Sequence, residues 1–188
     1  MNKHIEIREL KYPEHLLSAW KKSDYSLLEN SNASDYIKAI LLKKAILRPG
    51  RRFFGEAFVA SKLHMVNGWY NSFKWLTAKK WLTGIGLEPI FEEPFYDALI
   101  FHFGFNSISN LQKEARSFFE NNSSNLNRKK PVAPDLWIID RNGDHCFIEC
   151  KLPRDHIAPH QKAGLVLIKD NLKSINLIKT FIFNLYPE

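Results

Sequence analysis

A chain of 188 residues with 45% hydrophobic and 25% charged side chains is long enough for one sizeable core and too apolar to stay disordered. Its formal net charge is +7, an excess that favours polyanionic partners and makes such binding salt-sensitive. The first ten residues are charged and lack the apolar run of a secretory leader, and no stretch reaches the length of a membrane span, so a cytoplasmic protein is expected.

Taken in order, residues 1–33 show little periodicity apart from a short helix expected at 15–25, after Pro13. Ser34 suits a helix N-cap, and Ile37, Ile40, Leu41, Lys44 and Leu47 follow at helical spacing until Arg48-Pro49-Gly50 ends the run. Residues 1–50 therefore read as a largely helical N-terminal extension. Residues 51–67 read as a second helix closed by Gly68, apolar on nearly every side through Phe53, Phe54, Ala57, Phe58, Val59 and Leu63. A helix of that kind is a buried one. Glu56 stands in line with Val59, Ala60 and Leu63, and a carboxylate on such a stripe needs a partner or a metal. An acid in a first turn also simply favours the helix dipole.

Residues 69–130 read as an insertion. Its opening aromatics, Trp69, Tyr70, Phe73, Trp75 and Trp81, are interleaved with Lys74, Lys79 and Lys80. That pattern serves base stacking or, more often, a helix whose rings make core and whose lysines are solvated. Residues 94–105 fit either a helix opened by Pro94 or a buried strand. A helix follows at 107–121 with Ile108, Leu111 and Ala115 inward, and its Glu114 competes with Glu56 as a third site acid. The basic run Arg128-Lys129-Lys130 precedes Asp135 by a few residues, where it could meet a phosphate backbone or only solvent.

From Pro134 the pattern sharpens. Asp135-Leu136-Trp137-Ile138-Ile139-Asp140, a turn at 141–144, and Phe147-Ile148-Glu149-Cys150-Lys151 read as a β-hairpin. Glu149 and Lys151 share one face of the second strand, while Cys146, Ile148 and Cys150 point to the other, which should be core. Neighbouring strands lie about 5 Å apart, so pairing can set Asp135 beside Glu149. Two carboxylates that close repel unless a cation sits between them, and oxygen ligands favour magnesium or manganese over zinc. The two cysteines, four apart on a strand, are separated by about 13 Å and cannot form a disulfide.

Pro153 and Pro159 bracket a loop, and Pro159 suits the first turn of a helix running to about 171. Gln161 is the polar end of its apolar face of Leu165, Ile168 and Leu172, placed to touch substrate or a structural partner. His160 lies close enough to contact substrate, whereas His145 and His156 read as solvated. Residues 177–186 form a last strand, rich in Ile and Phe.

Pro134-Asp135, then Glu149-Cys150-Lys151 with Leu152-Pro153-Arg154-Asp155 and Gln161 behind, resembles the Pro-Asp…(Asp/Glu)-x-Lys motif of the PD-(D/E)XK nuclease superfamily, most like its VRR-NUC branch. The resemblance covers under a third of the chain. It implies an α/β fold: a restriction-endonuclease-like core of mixed β-sheet flanked by helices, in a single nuclease domain spanning 1–188, with 51–188 as the catalytic part. It further implies a magnesium-dependent nuclease, with manganese as a substitute, acting on phosphodiesters and expected to be a DNA endonuclease. Asp135, Glu149, the backbone carbonyl of Cys150 and Glu56 would hold the metal, while Lys151 and Gln161 complete the catalytic set. Arg128, Lys129, Lys130, Arg154 and His160 would face nucleic acid. A homodimer would suit cleavage of both strands, and a toxin or defence role would bring an immunity or defence partner. The alternatives are an RNA-directed nuclease, a non-catalytic nucleic-acid-binding module on the same fold, or an interaction protein whose Asp135, Glu149 and Lys151 form only an ion-pair network.

Overall fold

The computed structural model describes residues 5–70, 73–77, 93–121 and 129–188. Strands β1 (Ile5–Tyr12), β2 (Met65–Tyr70), β3 (Leu136–Asp140), β4 (His145–Lys151) and β5 (Ile178–Pro187) form one sheet in the order β1-β5-β4-β3-β2. β1 runs parallel to β5 and β5 parallel to β4, while β4, β3 and β2 are successively antiparallel. The fold is mixed α/β, with helices on both faces of the sheet.

On one face lie α1 (Glu14–Lys21), α2 (Ser26–Glu29), α3 (Asp35–Leu47) and α4 (Phe54–Lys62). Their Trp20, Leu28, Ile37, Leu41, Phe54 and Phe58 pack against Ile138, Cys146, Ile148, Phe181 and Phe183. The opposite face is covered by a 3-10 turn (Phe73–Thr77), α5 (Glu93–Phe103), α6 (Phe105–Asn121) and α7 (Pro159–Asn171). There Leu99, Ile108, Leu111, Leu165 and Ile168 meet Trp137, Phe147 and Ile182. Strand alternation thus feeds two cores, not one. The expected core face of the hairpin, with Cys146 and Ile148, is buried, and the face that carries Glu149 also buries Phe147 in the second core.

Three further expectations change. The apolar run from 51 divides, with α4 ending at Lys62 and β2 starting at Met65, so Gly68 is a strand residue paired with Ile138 and caps no helix. Its missing side chain has a reason: a Cβ there would lie 2.8 Å from Ile37 Cδ1 and 3.1 Å from Ile138 Cγ2. Residues 94–105, the candidate strand, belong to α5 and the start of α6, and β2 takes the place before Asp135. The N-terminal segment is not only helical, since β1 joins the sheet edge. The aromatics Trp69 and Trp75 are buried core residues; Trp81, Lys79 and Lys80 lie outside the described residues. Among the described residues, no helix is long and apolar enough to cross a membrane.

Candidate active site

The hairpin is lopsided, and the site grows from that. β3 pairs with β4 only from Leu136↔Ile148 to Ile139↔His145, so Glu149–Lys151 run past the start of β3 while still pairing with β5. Asp135, one residue before β3, fills the vacated position: its Oδ2 accepts from the Cys150 N–H at 2.9 Å. Gly143, at φ +83°, closes the turn at the far end with its N–H donating to the Asp140 carbonyl. Asp135 and Glu149 line the same cleft, and the negative charge of Asp135 acts on the Glu149 carboxyl.

Glu149 is 2% exposed. Its Oε1 accepts from Lys151 Nζ at 2.8 Å and from Gln161 Nε2 at 2.5 Å. Gln161 Oε1 in turn accepts from Lys151 Nζ and from the Ala158 N–H, both at 3.0 Å. The glutamine therefore ties the first turn of α7 to the acid-x-lysine strand, and its amide orientation is fixed by a donor-acceptor pair on each side.

Glu56 arrives from the other face of the sheet, on the first turn of α4. Gly55 makes the approach: a Cβ there would already touch Leu185 Cδ1 at 3.2 Å and Cys150 Cβ at 3.7 Å. Burial pushes the Glu56 carboxyl up to about 8, aided by the negative charge of Asp135 and opposed by its own backbone N–H and by Lys151. Burial, then Asp135, pushes Glu149 up to about 8 as well, against the pull of Lys151. Asp135 is raised chiefly by burial, with the Cys150 N–H and Lys151 working against it. Three acids that resist ionisation beside a single lysine form a site short of positive charge.

The cluster floors an open cleft of about 700 Å³ whose walls include Arg48, Arg51, Arg52, Phe53 and Asp155. These wall residues escaped the sequence reading, which took Arg48-Pro49-Gly50 only as a helix stop. Tyr70, one of the aromatics expected to make core, is buried, and burial, then Glu56 and Asp135, keeps its hydroxyl protonated. Of the other expected residues, Glu114 is exposed on α6 and does not line the cleft. Arg154 and Lys129 are exposed, and Arg154 is left-handed at φ +73°. Lys130 is exposed too, and Arg128 lies outside the described residues. His160 is half-buried in the first turn of α7, its pKa lowered by burial, then by Lys129 and Lys151. His145, expected in solvent, is 2% exposed among Trp137, Phe103 and His102. Cys146 and Cys150 are free thiols.

Among the described residues, no group of three or more His, Cys, Asp or Glu side chains is drawn together tightly enough to hold a metal ion. Comparison of the chain with protein-family models, with curated proteins and with solved structures finds no match.

Proposed function

We propose that this chain is a divalent-metal-dependent nuclease of the PD-(D/E)XK kind, hydrolysing phosphodiester bonds, with DNA as the expected substrate. One observation carries the reading: Asp135, Glu149, Lys151 and Gln161 line one open cleft, with Lys151 and Gln161 bonded to Glu149. The order α4-β2-β3-β4-α7-β5, interrupted by the 3-10 turn, α5 and α6 between β2 and β3, supports a restriction-endonuclease-like core, because it supplies a first helix with an acid, a strand ahead of Asp135 and a glutamine-bearing helix behind the lysine.

The donor set fits a hard dication. Asp135 and Glu149 offer hard oxygen ligands, and a bound dication would displace the proton that burial otherwise holds on Glu149. A strand residue presents its N–H and C=O to the same side, and the Cys150 N–H points at Asp135, so the Cys150 carbonyl is aimed there as well. Glu56 lines the same cleft and would take part directly or through water. A bound magnesium or manganese ion would supply polarisation of a phosphoryl oxygen and a lowered pKa for water.

The chain's own groups do the rest. Lys151, held by Glu149 and Gln161, places an ammonium where charge develops on the phosphate. Gln161 keeps that ammonium from swinging away and holds the Glu149 carboxyl in register. A buried acid-lysine pair contributes little net stability, since desolvation offsets attraction, so its place in a cleft favours a chemical role over a structural one.

The test uses supercoiled plasmid, flap and junction substrates with and without magnesium, beside Lys151→Ala. Metal-dependent cleavage by the wild type, reduced by about a hundredfold or more in the variant with fold and binding kept, is expected. Cleavage of none of these, or of RNA, with magnesium or manganese would end the reading. Collapse of the fold in Lys151→Ala would make the lysine structural.

A further inference from the structure

The acid floor cannot by itself receive a polyanion. Four carboxyls, those of Glu56, Asp135, Glu149 and Asp155, line the cleft beside one lysine, so a phosphate entering it needs further cations on the wall. The compensating charge lies on the rim. Arg48, Arg51 and Arg52 line the same cleft, in the turn that links α3 to α4. The chain has eight arginines among its 27 basic residues, and three of them fall within these five positions. Guanidinium grips phosphate oxygens with paired, planar hydrogen bonds, which an ammonium does not, so arginine enrichment here has a chemical sense.

The turn is also held in place, unlike an ordinary solvated loop. The indole of Trp20, 1% exposed, donates to the Arg52 carbonyl at 3.0 Å. Gly50 takes φ +104°, and Phe53 takes φ +64°, a left-handed conformation that is costly for a bulky residue. Phe53 is fixed in turn by edge contact with Tyr70, ring centroids 6.3 Å apart. The arginine side chains themselves are exposed. Arg51 reaches Asp155 only at 3.4 Å, with 56% and 43% of the two side chains open to solvent, a pairing that a phosphate can displace.

We propose that Arg48, Arg51 and Arg52 form a phosphate-binding rim that grips the phosphodiester backbone of a nucleic-acid strand on the α4 side of the acid floor. The proposal rests on the nuclease reading, deepening it by naming where the strand is held outside the chemistry.

Fluorescence anisotropy with a labelled single strand and a labelled duplex, in EDTA so that nothing is cut, separates the two. The salt dependence is measured for the wild type, for Arg48→Gln/Arg51→Gln/Arg52→Gln, and for Lys113→Gln/Arg141→Gln/Lys173→Gln, which removes equal charge from exposed positions outside the cleft. Three lost phosphate contacts should lower the slope of log K against log salt by about 2 to 3, at roughly 0.7–0.9 per contact, and weaken binding more than tenfold at physiological salt. The charge-matched control should move far less. Arg52→Gln alone, a gentler change, should lower the slope by about 1. Equal weakening of the two triple variants, or an unchanged slope in both rim variants, would overturn the rim. Absence of nucleic-acid binding by the wild type would instead overturn the nuclease reading beneath it.

Discussion

Glu149 and His145 lie four residues apart on β4, and burial disfavours the charged form of both, moving their pKa values in opposite directions. Glu149 is buried beside Asp135, so its proton is retained until about pH 8. His145 is buried among aromatic rings, and burial, then the nearby His102 on α5, lowers its pKa to about 4 in spite of Asp140 and Asp144. The Trp137 indole donates to His145 Nδ1 at 3.3 Å, which requires that nitrogen to be an acceptor and hence the ring to be neutral. In the unfolded chain the ring gains its proton near pH 6.5. Between pH 6.5 and 4 the unfolded state therefore binds more protons than the folded one, and stability falls as pH falls. The full contribution is present above 6.5, and the loss across the window is on the order of 3 kcal/mol for a shift of this size. His145→Phe should flatten the acid limb of a Tm-pH curve measured from pH 7.5 to 4. At pH 7.5 it should lower stability by about 1–2 kcal/mol, because the Trp137 N–H loses its acceptor. Superimposable acid limbs for wild type and variant would assign the acid sensitivity elsewhere.

At the scale of elements, two glycines set the approach of the helices that carry the site, and they differ in tolerance. A Cβ on Gly164 of α7 would lie 1.7 Å from the Val132 carbonyl oxygen, a backbone atom of the segment that leads into Asp135. That segment is bonded to the helix by the Val132 N–H to His160 carbonyl contact at 3.2 Å, so neither side can yield cheaply. Gly164→Ala should cost about 3 kcal/mol or more in urea denaturation and should impair cleavage by displacing Asp135. Gly55→Ala meets the end of the flexible Leu185 side chain at 3.2 Å, with Leu152 and Cys150 at ordinary contact distance, and gains up to about 1 kcal/mol of helix propensity, so it should change stability little. Equal costs for the two would refute this account. The hairpin, α7 and β5 were legible in the sequence because period-two and period-3.6 patterns there are unbroken. β2 was not, because Phe53 to Val66 is apolar without a phase, and only Gly68, a strand glycine under a crossing helix, carried the signal. β1 hid for a different reason: its apolar residues sit at Ile5 and Ile7, then at Leu10 and Tyr12, so the alternation slips by one in mid-strand. Asp135, Glu149 and Lys151 are near neighbours through one hairpin, whereas Glu56 and the arginine rim join them only through the packing of α4, which no local pattern encodes.

At the scale of the molecule, the strand that reads least clearly closes the sheet. β1 pairs with β5 in parallel along eight positions, from Ile5↔Thr180 to Tyr12↔Pro187. Its last residue, Tyr12, is 3% exposed and sets its ring edge-on to Phe54 and Phe58, centroids 5.1 and 6.0 Å away. Those rings belong to α4, the helix that brings Glu56 to the floor, so the far edge of the sheet supports the site through one aromatic cluster. A chain beginning at residue 13 would lose that cluster's outer wall and leave the β5 backbone as an open edge. Exposed strand edges pair with other chains, and a margin of 5–15 kcal/mol does not survive loss of a full strand and a buried tyrosine. Deletion of residues 1–12 should abolish the cooperative thermal transition seen by circular dichroism and produce association in light scattering. A truncated protein that melts cooperatively as a monomer would mean that β5 tolerates an open edge and that α4 is held by α1–α3 alone.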